Sequence, residues 1–196
     1  MNDRILKIIK ISFAFMLAVC FIGTAIYTYR DIMMLFYELS FLGNIFTGVF
    51  LFVIGVVLIF NKQIPQYVIL DFTVLMLLIL GVEVVTQDFY FKDGWAFVHF
   101  VNPVLMFIFY LFASNQKNVK WYLSFTALVM PIIYMIFAFI FGACTGDYIY
   151  DFLDFNECGV GNTVLFIFGT AAGLSAISVG IYFLNRLLHK YILKNI

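Results

Sequence analysis

Six long apolar stretches dominate the sequence, and each is long enough to cross a lipid bilayer. A transmembrane α-helix needs about 20 consecutive, mostly apolar residues. The stretches cover residues 6–27, 35–60, 68–86, 96–113, 122–144 and 164–188. Because the connections between them are short, the 196 residues leave room for one membrane domain and for no soluble catalytic module. We therefore predict an all-α, polytopic membrane protein in which a single transmembrane domain, residues 1–196, forms a six-helix bundle.

The composition agrees with a chain that is buried in lipid. Apolar residues make up 65% and charged residues 11% of the sequence, against about 45–50% and 25% in soluble domains. Basic residues open the first stretch as in a signal peptide, but no small-residue cleavage pattern follows them. We therefore predict that the first stretch is a retained helix.

The distribution of Lys and Arg predicts that both termini are cytoplasmic. Basic residues near helix ends concentrate on the cytoplasmic side of membrane proteins. With the N-terminus inside, only Arg30 and Lys92 lie outside. The cytoplasmic side then holds Arg4, Lys7, Lys10, Lys62, Lys117, Lys120, Arg186, Lys190 and Lys194. The predicted location is the plasma membrane of a bacterium, and the zero net charge gives no reason to expect a nucleic acid partner.

The fifth and sixth stretches are joined by an outer loop, residues 145–162, that is acidic and aromatic and has no basic residue. It could form a structured cap or a solvated loop, and the sequence leaves both open. Cys144 and Cys158 border or lie in this loop, where a disulfide is chemically permitted. Their pairing is also left open.

Small residues and prolines mark three positions in the predicted helices. Gly169 and Gly173 form a small-xxx-small pair, which we expect to pack inside the monomer rather than to form a dimer. The oligomeric state, monomer or homodimer, is left open. Pro103 and Pro131 lie inside the fourth and fifth stretches and are expected to kink them.

Polar side chains inside the apolar stretches are the candidate functional residues, because such groups are costly in hydrocarbon. In the second stretch, Ser40, Asn44 and Thr47 share one helix face at spacings of four and three. In the fourth, His99 and Asn102 share a face directly before Pro103.

Glu83 and Gln87 lie near the outer end of the third stretch. From the helical rise, Ser40 and His99 are expected at the same depth of the outer leaflet, with Glu83 nearby. A hydroxyl, an imidazole, a carboxylate and amides at one depth are the groups that nucleophilic acyl chemistry requires.

Structural roles for the same residues stay open. Serine and threonine often bond their own helix backbone, and asparagine often links membrane helices. Glu83 could simply reach interfacial water. No metal site is predicted, because the stretches contain one histidine and no strong ligand pair at four-residue spacing. No glycine-rich phosphate loop is present either, so no cofactor is expected.

Three short motifs resemble a known family. Residues 39–44 read Leu-Ser-Phe-Leu-Gly-Asn, residues 99–103 read His-Phe-Val-Asn-Pro, and residues 148–154 read Tyr-Ile-Tyr-Asp-Phe-Leu-Asp. In helix order they are similar to motifs of the androgen-induced-gene-type (FAR-type) intramembrane hydrolases and their bacterial Pr-six-Pr membrane protein relatives. Ser40 stands where the family usually has threonine, and two prolines of the third motif are missing.

The resemblance implies an activity. Animal members of the family cleave fatty acid esters of hydroxy fatty acids with a threonine nucleophile and a histidine. By position, Ser40 would be the nucleophile and His99 the general base of an enzyme that hydrolyses or transfers fatty acyl esters. Asn44 or Asn102 would donate to the oxyanion, and Glu83 would orient His99.

A membrane lipid or fatty acyl ester at the outer leaflet would be the substrate, with Thr47 and Gln87 lining its site. Two rival functions remain. The polar layer could hold a small molecule or lipid in a binding or transport protein without catalysis, such as a substrate-capture subunit. Alternatively, the polar residues could only tie the helices together.

Overall fold

A computed structural model describes residues 3–30, 37–86 and 94–192. Every regular element in these ranges is helical. A π-helix, Phe97–Val101, precedes the fourth α-helix, and 3-10 helices span Gln116–Asn118, Trp121–Leu128 and Asp151–Leu153. The α-helices are α1 (Asp3–Tyr29), α2 (Leu39–Ile59), α3 (Gln66–Thr86), α4 (Asn102–Ala113), α5 (Val129–Thr145), α6 (Phe155–Cys158) and α7 (Val160–Tyr191).

The chain has the architecture of a multi-pass helical membrane protein. Five helical segments are long and apolar enough, by length and composition, to cross a bilayer. They are Arg4–Tyr29, Leu39–Ile59, Gln66–Val84, Trp121–Thr145 and Val160–Tyr191. The fourth predicted stretch, residues 96–113, corresponds to a shorter apolar helix, Phe97–Ala113. The all-α class is thus confirmed, and five of the six predicted stretches have spanning length.

Both prolines lie in the first turn of an α-helix, directly after a π-helix or a 3-10 helix. Pro103 has no N–H, and the turn before it widens so that the Asn102 N–H bonds to the Phe97 carbonyl, five residues back. Pro131 lies in the first turn of α5, where its missing N–H is tolerated. The residues before α5, predicted as part of one α-helix, form the 3-10 helix Trp121–Leu128 instead.

Helices α1 and α2 form the tightest pair of the bundle. The buried face of α1 includes Ala14, Leu17, Ala18 and Phe21. A Cβ on Gly48 of α2 would lie 3.2 Å from the Ala18 carbonyl oxygen, so the two backbones approach at this point. The small residues of this seam therefore fix how the start of α2 is placed against the end of α1.

Hydrogen bonds gather several chain segments at one end of the bundle. Lys7 near the start of α1 bonds to Asn61 after α2. Gln116, between α4 and α5, bonds to Gln66 at the start of α3 and to Asn185 near the end of α7. The helices therefore alternate in direction, and the start of α1 lies on the same side of the bundle as the end of α7. We call this side the basic end. Its basic residues are Lys7, Lys10, Lys62, Lys117, Lys120, Arg186 and Lys190.

Helix α7 is held mainly through its last turns. Asn185 donates to the Tyr110 and Ser114 carbonyls, and Tyr182 donates to the Val119 carbonyl at 2.6 Å. A Cβ added to either Gly169 or Gly173 would meet nothing within 4 Å. The expectation that this glycine pair packs inside the monomer is therefore wrong.

The outer loop is ordered by its own contacts. The Asp154 side chain caps α6 by accepting from the Asn156 N–H at 2.8 Å, and Thr163 donates to the Phe152 carbonyl at 2.8 Å. Cys144 and Cys158 are both free thiols, so the disulfide left open by the sequence is not formed. The Cys158 thiol donates instead to the Asp151 carbonyl at 3.3 Å.

Candidate functional site

Ser40 belongs to a hydroxyl cluster, formed with Tyr29 and Glu38, at the start of α2. Its Oγ lies 2.5 Å from the Tyr29 Oη and 3.4 Å from the Glu38 Oε2. Tyr29 in turn donates to the Glu38 Oε2 at 2.9 Å. Since each hydroxyl carries one proton, the short contacts define a chain in which Ser40 donates to Tyr29 and Tyr29 donates to the carboxylate.

Glu38 immediately precedes α2 in extended backbone, and its carboxylate ends the hydroxyl chain. Burial raises the pKa of the Glu38 carboxyl, although the hydrogen bonds from Tyr29 and Ser40 lower it. A carboxyl with a raised pKa is a better proton acceptor than an ordinary glutamate. The hydroxyl cluster therefore contains both a buried hydroxyl and a base connected to it.

His99 lies in the π-helix in a second cluster with Glu83 and Trp95. Its Nε2 is 3.3 Å from the Glu83 Oε1, and its Nδ1 is 3.1 Å from the Trp95 carbonyl oxygen. The Trp95 ring stacks on the imidazole at a centroid distance of 4.0 Å. Because the Trp95 carbonyl oxygen can only accept, Nδ1 carries the imidazole proton, and Nε2 faces the Glu83 carboxyl. Glu83 thus has the position that its predicted orienting role requires.

The structure does not bring Ser40 and His99 into a hydrogen bond. Among the described residues, the Ser40 hydroxyl bonds to Tyr29 and Glu38, and the His99 nitrogens contact Glu83 and Trp95. The two clusters are nevertheless neighbours, because the Tyr29 and Trp95 rings lie 6.0 Å apart. The layer predicted from helix depth exists, but aromatic rings separate its two acid–base groups.

The predicted oxyanion donors form an amide network between helices. Asn102 donates to the Asn44 Oδ1 at 2.7 Å and to the Thr24 Oγ1 at 2.9 Å. Asn44 donates to the carbonyls of Ser40 at 2.7 Å and Val98 at 3.1 Å. All four amide N–H groups are therefore engaged with protein acceptors. This geometry favours the interhelical role of both asparagines over donation to an oxyanion.

The structure gives no support to the prediction that Thr47 and Gln87 line the substrate site. Thr47 is fully buried one turn below Asn44, and its hydroxyl has no hydrogen-bond partner among the described residues. Gln87 lies outside the residues that the structure describes. Within the described ranges, no group of three or more His, Cys, Asp or Glu side chains could hold a metal ion.

A large apolar cavity of about 750 Å³ lies between α3, α5 and α7 beneath the outer loop. In the described part of the chain, α5 packs on α3 and on the helix Trp121–Leu128, and it makes little contact with α7. The cavity reaches Leu39 and Val82, the sequence neighbours of Ser40 and Glu83. Other lining residues include Leu77, Gly81, Leu128, Pro131, Tyr134, Ala138, Tyr150, Asp151, Phe152, Gly173 and Ile177.

Tyr150 of the outer loop connects the cavity to both clusters. Burial raises the pKa of the Tyr150 phenol, a hydrogen bond with Tyr134 lowers it, and the negative charges of Glu38 and Glu83 raise it further. The phenol therefore stands within electrostatic reach of both carboxylates while lining the cavity. The polar layer and the cavity meet at this tyrosine.

Sequence reasoning did not assign Tyr29, Glu38, Trp95 or Tyr150 to the site. Tyr29 and Trp95 stand at the ends of apolar stretches, where interfacial aromatic residues are common. The indole nitrogen of Trp95 is buried and, among the described residues, has no hydrogen-bond acceptor. For Glu38 the sequence did contain a signal, because this carboxylate lies only two residues before the predicted nucleophile, Ser40.

Comparison of the chain with protein-family models, curated proteins and solved structures found no match. The resemblance to the FAR-type hydrolases therefore stays a prediction from short motifs.

Replacing Asn102 with leucine should destabilise the protein by about 1–2 kcal/mol, because the buried Asn44 Oδ1 and the Thr24 Oγ1 lose the N–H groups that they accept from Asn102. The measurement is thermal unfolding in detergent. The control is Asn162→Leu, since the Asn162 amide is exposed and donates to the Cys158 carbonyl, four residues earlier in the chain. Equal melting temperatures for the two variants would contradict the role of the amide network.

Proposed function

We propose that the protein is an intramembrane hydrolase, or a related acyl-transfer enzyme, that acts on fatty acyl esters at the outer leaflet. The observation that carries the proposal is the hydrogen-bonded chain from Ser40 to Glu38 beside an apolar cavity of about 750 Å³. A cavity of this size and lining suits the acyl chain of a lipid. Leu39 places the backbone of the nucleophile at the cavity wall.

The proposal includes the topology. The helix Phe97–Ala113 is taken as a sixth crossing, shorter than the others, which the alternating helix directions support. The basic end then faces the cytoplasm with both termini, and the hydroxyl cluster faces the outer leaflet. We assign the protein to the plasma membrane of a bacterium.

In the proposed reaction, Ser40 attacks the ester carbonyl while its proton passes to Tyr29 and the Tyr29 proton passes to Glu38. The contacts favour Glu38 over His99 as the final acceptor, because Ser40 already donates towards the tyrosine. The ester C–O bond then breaks, and the departing alcohol takes up the proton that Glu38 had received, returned through Tyr29. Water next attacks the acyl carbonyl and gives a proton through Tyr29 to Glu38, and the Ser40 oxygen recovers that proton as its bond to the acyl group breaks.

Trp95 is the proposed donor to the oxyanion. Its indole N–H is buried beside both clusters and has no acceptor among the described residues, whereas the N–H groups of Asn44 and Asn102 are all engaged. A developing negative charge on the carbonyl oxygen would satisfy this donor.

Lipid binding without catalysis is the second candidate. It is favoured by the position of Ser40, whose side chain lies behind Leu39 and is not among the residues that line the cavity. In this function the cavity holds the acyl chain of a lipid and the two clusters hold its headgroup.

A fluorophosphonate probe should label the purified protein at Ser40, and Ser40→Ala should abolish the labelling. Tyr29→Phe and Glu38→Gln should each slow it by about 100-fold, within the range of a general base. Ser175→Ala is the matched control, because that hydroxyl bonds only its own helix. Labelling that depends on His99 and not on Glu38 would restore histidine as the base, and an unlabelled, folded wild type would favour lipid binding.

Trp95→Phe should slow phosphonylation of Ser40 by about 100-fold, since one oxyanion contact contributes about 100- to 1000-fold to the rate. Phenylalanine keeps an aromatic ring against His99 and removes only the N–H donor. Trp121→Phe, at an exposed tryptophan, serves as the control. An unchanged labelling rate in Trp95→Phe would exclude the indole as the donor.

Gly81→Leu and Gly173→Leu should shift the preference of the protein towards shorter acyl chains. Both glycines line the cavity, and a Cβ at either meets nothing within 4 Å, so the added side chains occupy cavity space. The measurement is the rate for a series of esters of increasing chain length. Gly180→Leu, equally unhindered but away from the cavity, should leave the series unchanged. If all three variants showed the same dependence of rate on chain length, the cavity would not be the site of the acyl chain.

A further inference from the structure

A second groove lies at the basic end, far from the hydroxyl cluster along α1. Its volume is about 310 Å³, and it runs between the start of α1 and the end of α4. Its walls are apolar and include Ile9, Phe13, Phe109 and Phe112, with Lys10 as the one charged residue among those that line it. The surface of the groove is thus wholly apolar, and the one charged residue that lines it contributes its aliphatic stem.

Lys10 has no counter-charge in the described part of the chain. No hydrogen bond or ion pair reaches its ammonium, whereas Lys7, one turn earlier, bonds to Asn61. A lysine in a membrane helix places its apolar stem against the apolar surface and extends its ammonium towards the headgroup level. The ligand that fits such a site is an anion with an acyl chain, because the anion pairs with the ammonium and the chain packs on the aromatic and aliphatic walls.

The surroundings of Lys10 strengthen the preference for negative charge. His189 in the last turns of α7 is close enough for the Lys10 charge to act on it. Arg4 and Lys7 lie on the same helix towards its start, and Lys190 follows His189. Among the described residues, two acids, Asp3 and Asp71, belong to the first two turns of helices that start at the basic end, α1 and α3. The Asp71 carboxylate accepts a hydrogen bond from Thr126. A zwitterionic headgroup would bring its ammonium into this positive region, and an acidic headgroup would not.

We infer that this groove is a binding site for one acidic phospholipid of the leaflet at the basic end. The phosphate would pair with Lys10, and one acyl chain would lie along Phe13, Phe109 and Phe112. The inference does not depend on the proposed hydrolase activity, because the groove and the hydroxyl cluster share no residue. Clusters of basic residues beside membrane helices recognise acidic headgroups in this way.

The test is lipid retention measured by native mass spectrometry of the purified full-length protein. The protein is mixed separately with phosphatidylglycerol, with phosphatidylcholine that carries the same acyl chains, or with oleic acid. Wild type should retain one phosphatidylglycerol in preference to phosphatidylcholine. Lys10→Gln should weaken that retention by about fivefold, the effect expected for one basic residue near the membrane surface.

Lys62→Gln is the matched control, because it removes the same charge from the same end outside the groove. Lys10→Arg should restore retention, and Ala113→Phe, which fills the groove and keeps the lysine, should reduce it as Lys10→Gln does. Equal loss in Lys10→Gln and Lys62→Gln would overturn the site in favour of a diffuse surface charge. Equal retention of the two phospholipids would also overturn it, as would retention of oleic acid in place of phosphatidylglycerol.

Discussion

The amide pair between Asn102 and Asn44 is the interaction on which the arrangement of the candidate site depends. Asn102 reaches Thr24 on α1, and Asn44 reaches the backbone carbonyl of Val98 in the π-helix. Three separate chain segments are therefore tied at one depth. Each of these segments carries a member of the site a few residues away, so the amide pair helps to set the positions of Tyr29, Ser40 and His99, of which only Ser40 bonds to the pair, through its backbone carbonyl.

The site contains two acid–base groups with different local chemistry. In the hydroxyl cluster, the hydrogen bonds run between oxygen atoms and end on Glu38. In the second cluster, an imidazole lies beside a carboxyl group and against the face of an indole. The Tyr29 and Trp95 rings, 6.0 Å apart, lie where the two clusters meet. Both clusters also join helices, since Tyr29 of α1 bonds to Ser40 of α2 and His99 contacts Glu83 of α3, and they add ionisable groups that the amide network lacks.

The predictions that agree with the structure rest on the regular spacing of residues along single helices. Apolar length identified the helices, and the spacing of Ser40, Asn44 and Thr47 placed them on one buried face. The contact between Glu83 and His99 also agrees with the depths expected from the helical rise. These predictions depend on the geometry of single helices, which the sequence encodes locally.

The remaining features depend on packing between distant segments. Tyr29 reaches Ser40 only because Gly48 allows α1 and α2 to approach closely, and nothing near Tyr29 in the sequence indicates this partner. Both asparagines had spare donors in the sequence and none in the fold. The 3-10 start of the fifth helix likewise depends on its tertiary surroundings, because Trp121–Leu128 is apolar enough to continue as an α-helix.

The attachment of α7 through its last turns has a mechanical consequence. Its hydrogen bonds to the rest of the bundle through Ser178, Tyr182 and Asn185 lie at or towards the basic end, and α7 supplies no atom to the amide pair. At its outer end, α7 is attached to the outer loop, because Thr163 donates to the Phe152 carbonyl and the Phe152 and Phe166 rings stack. A tilt of this half of α7 would therefore carry the outer loop with it and widen the gap to α5 from the side, while the hydrogen bonds of the amide pair stay intact.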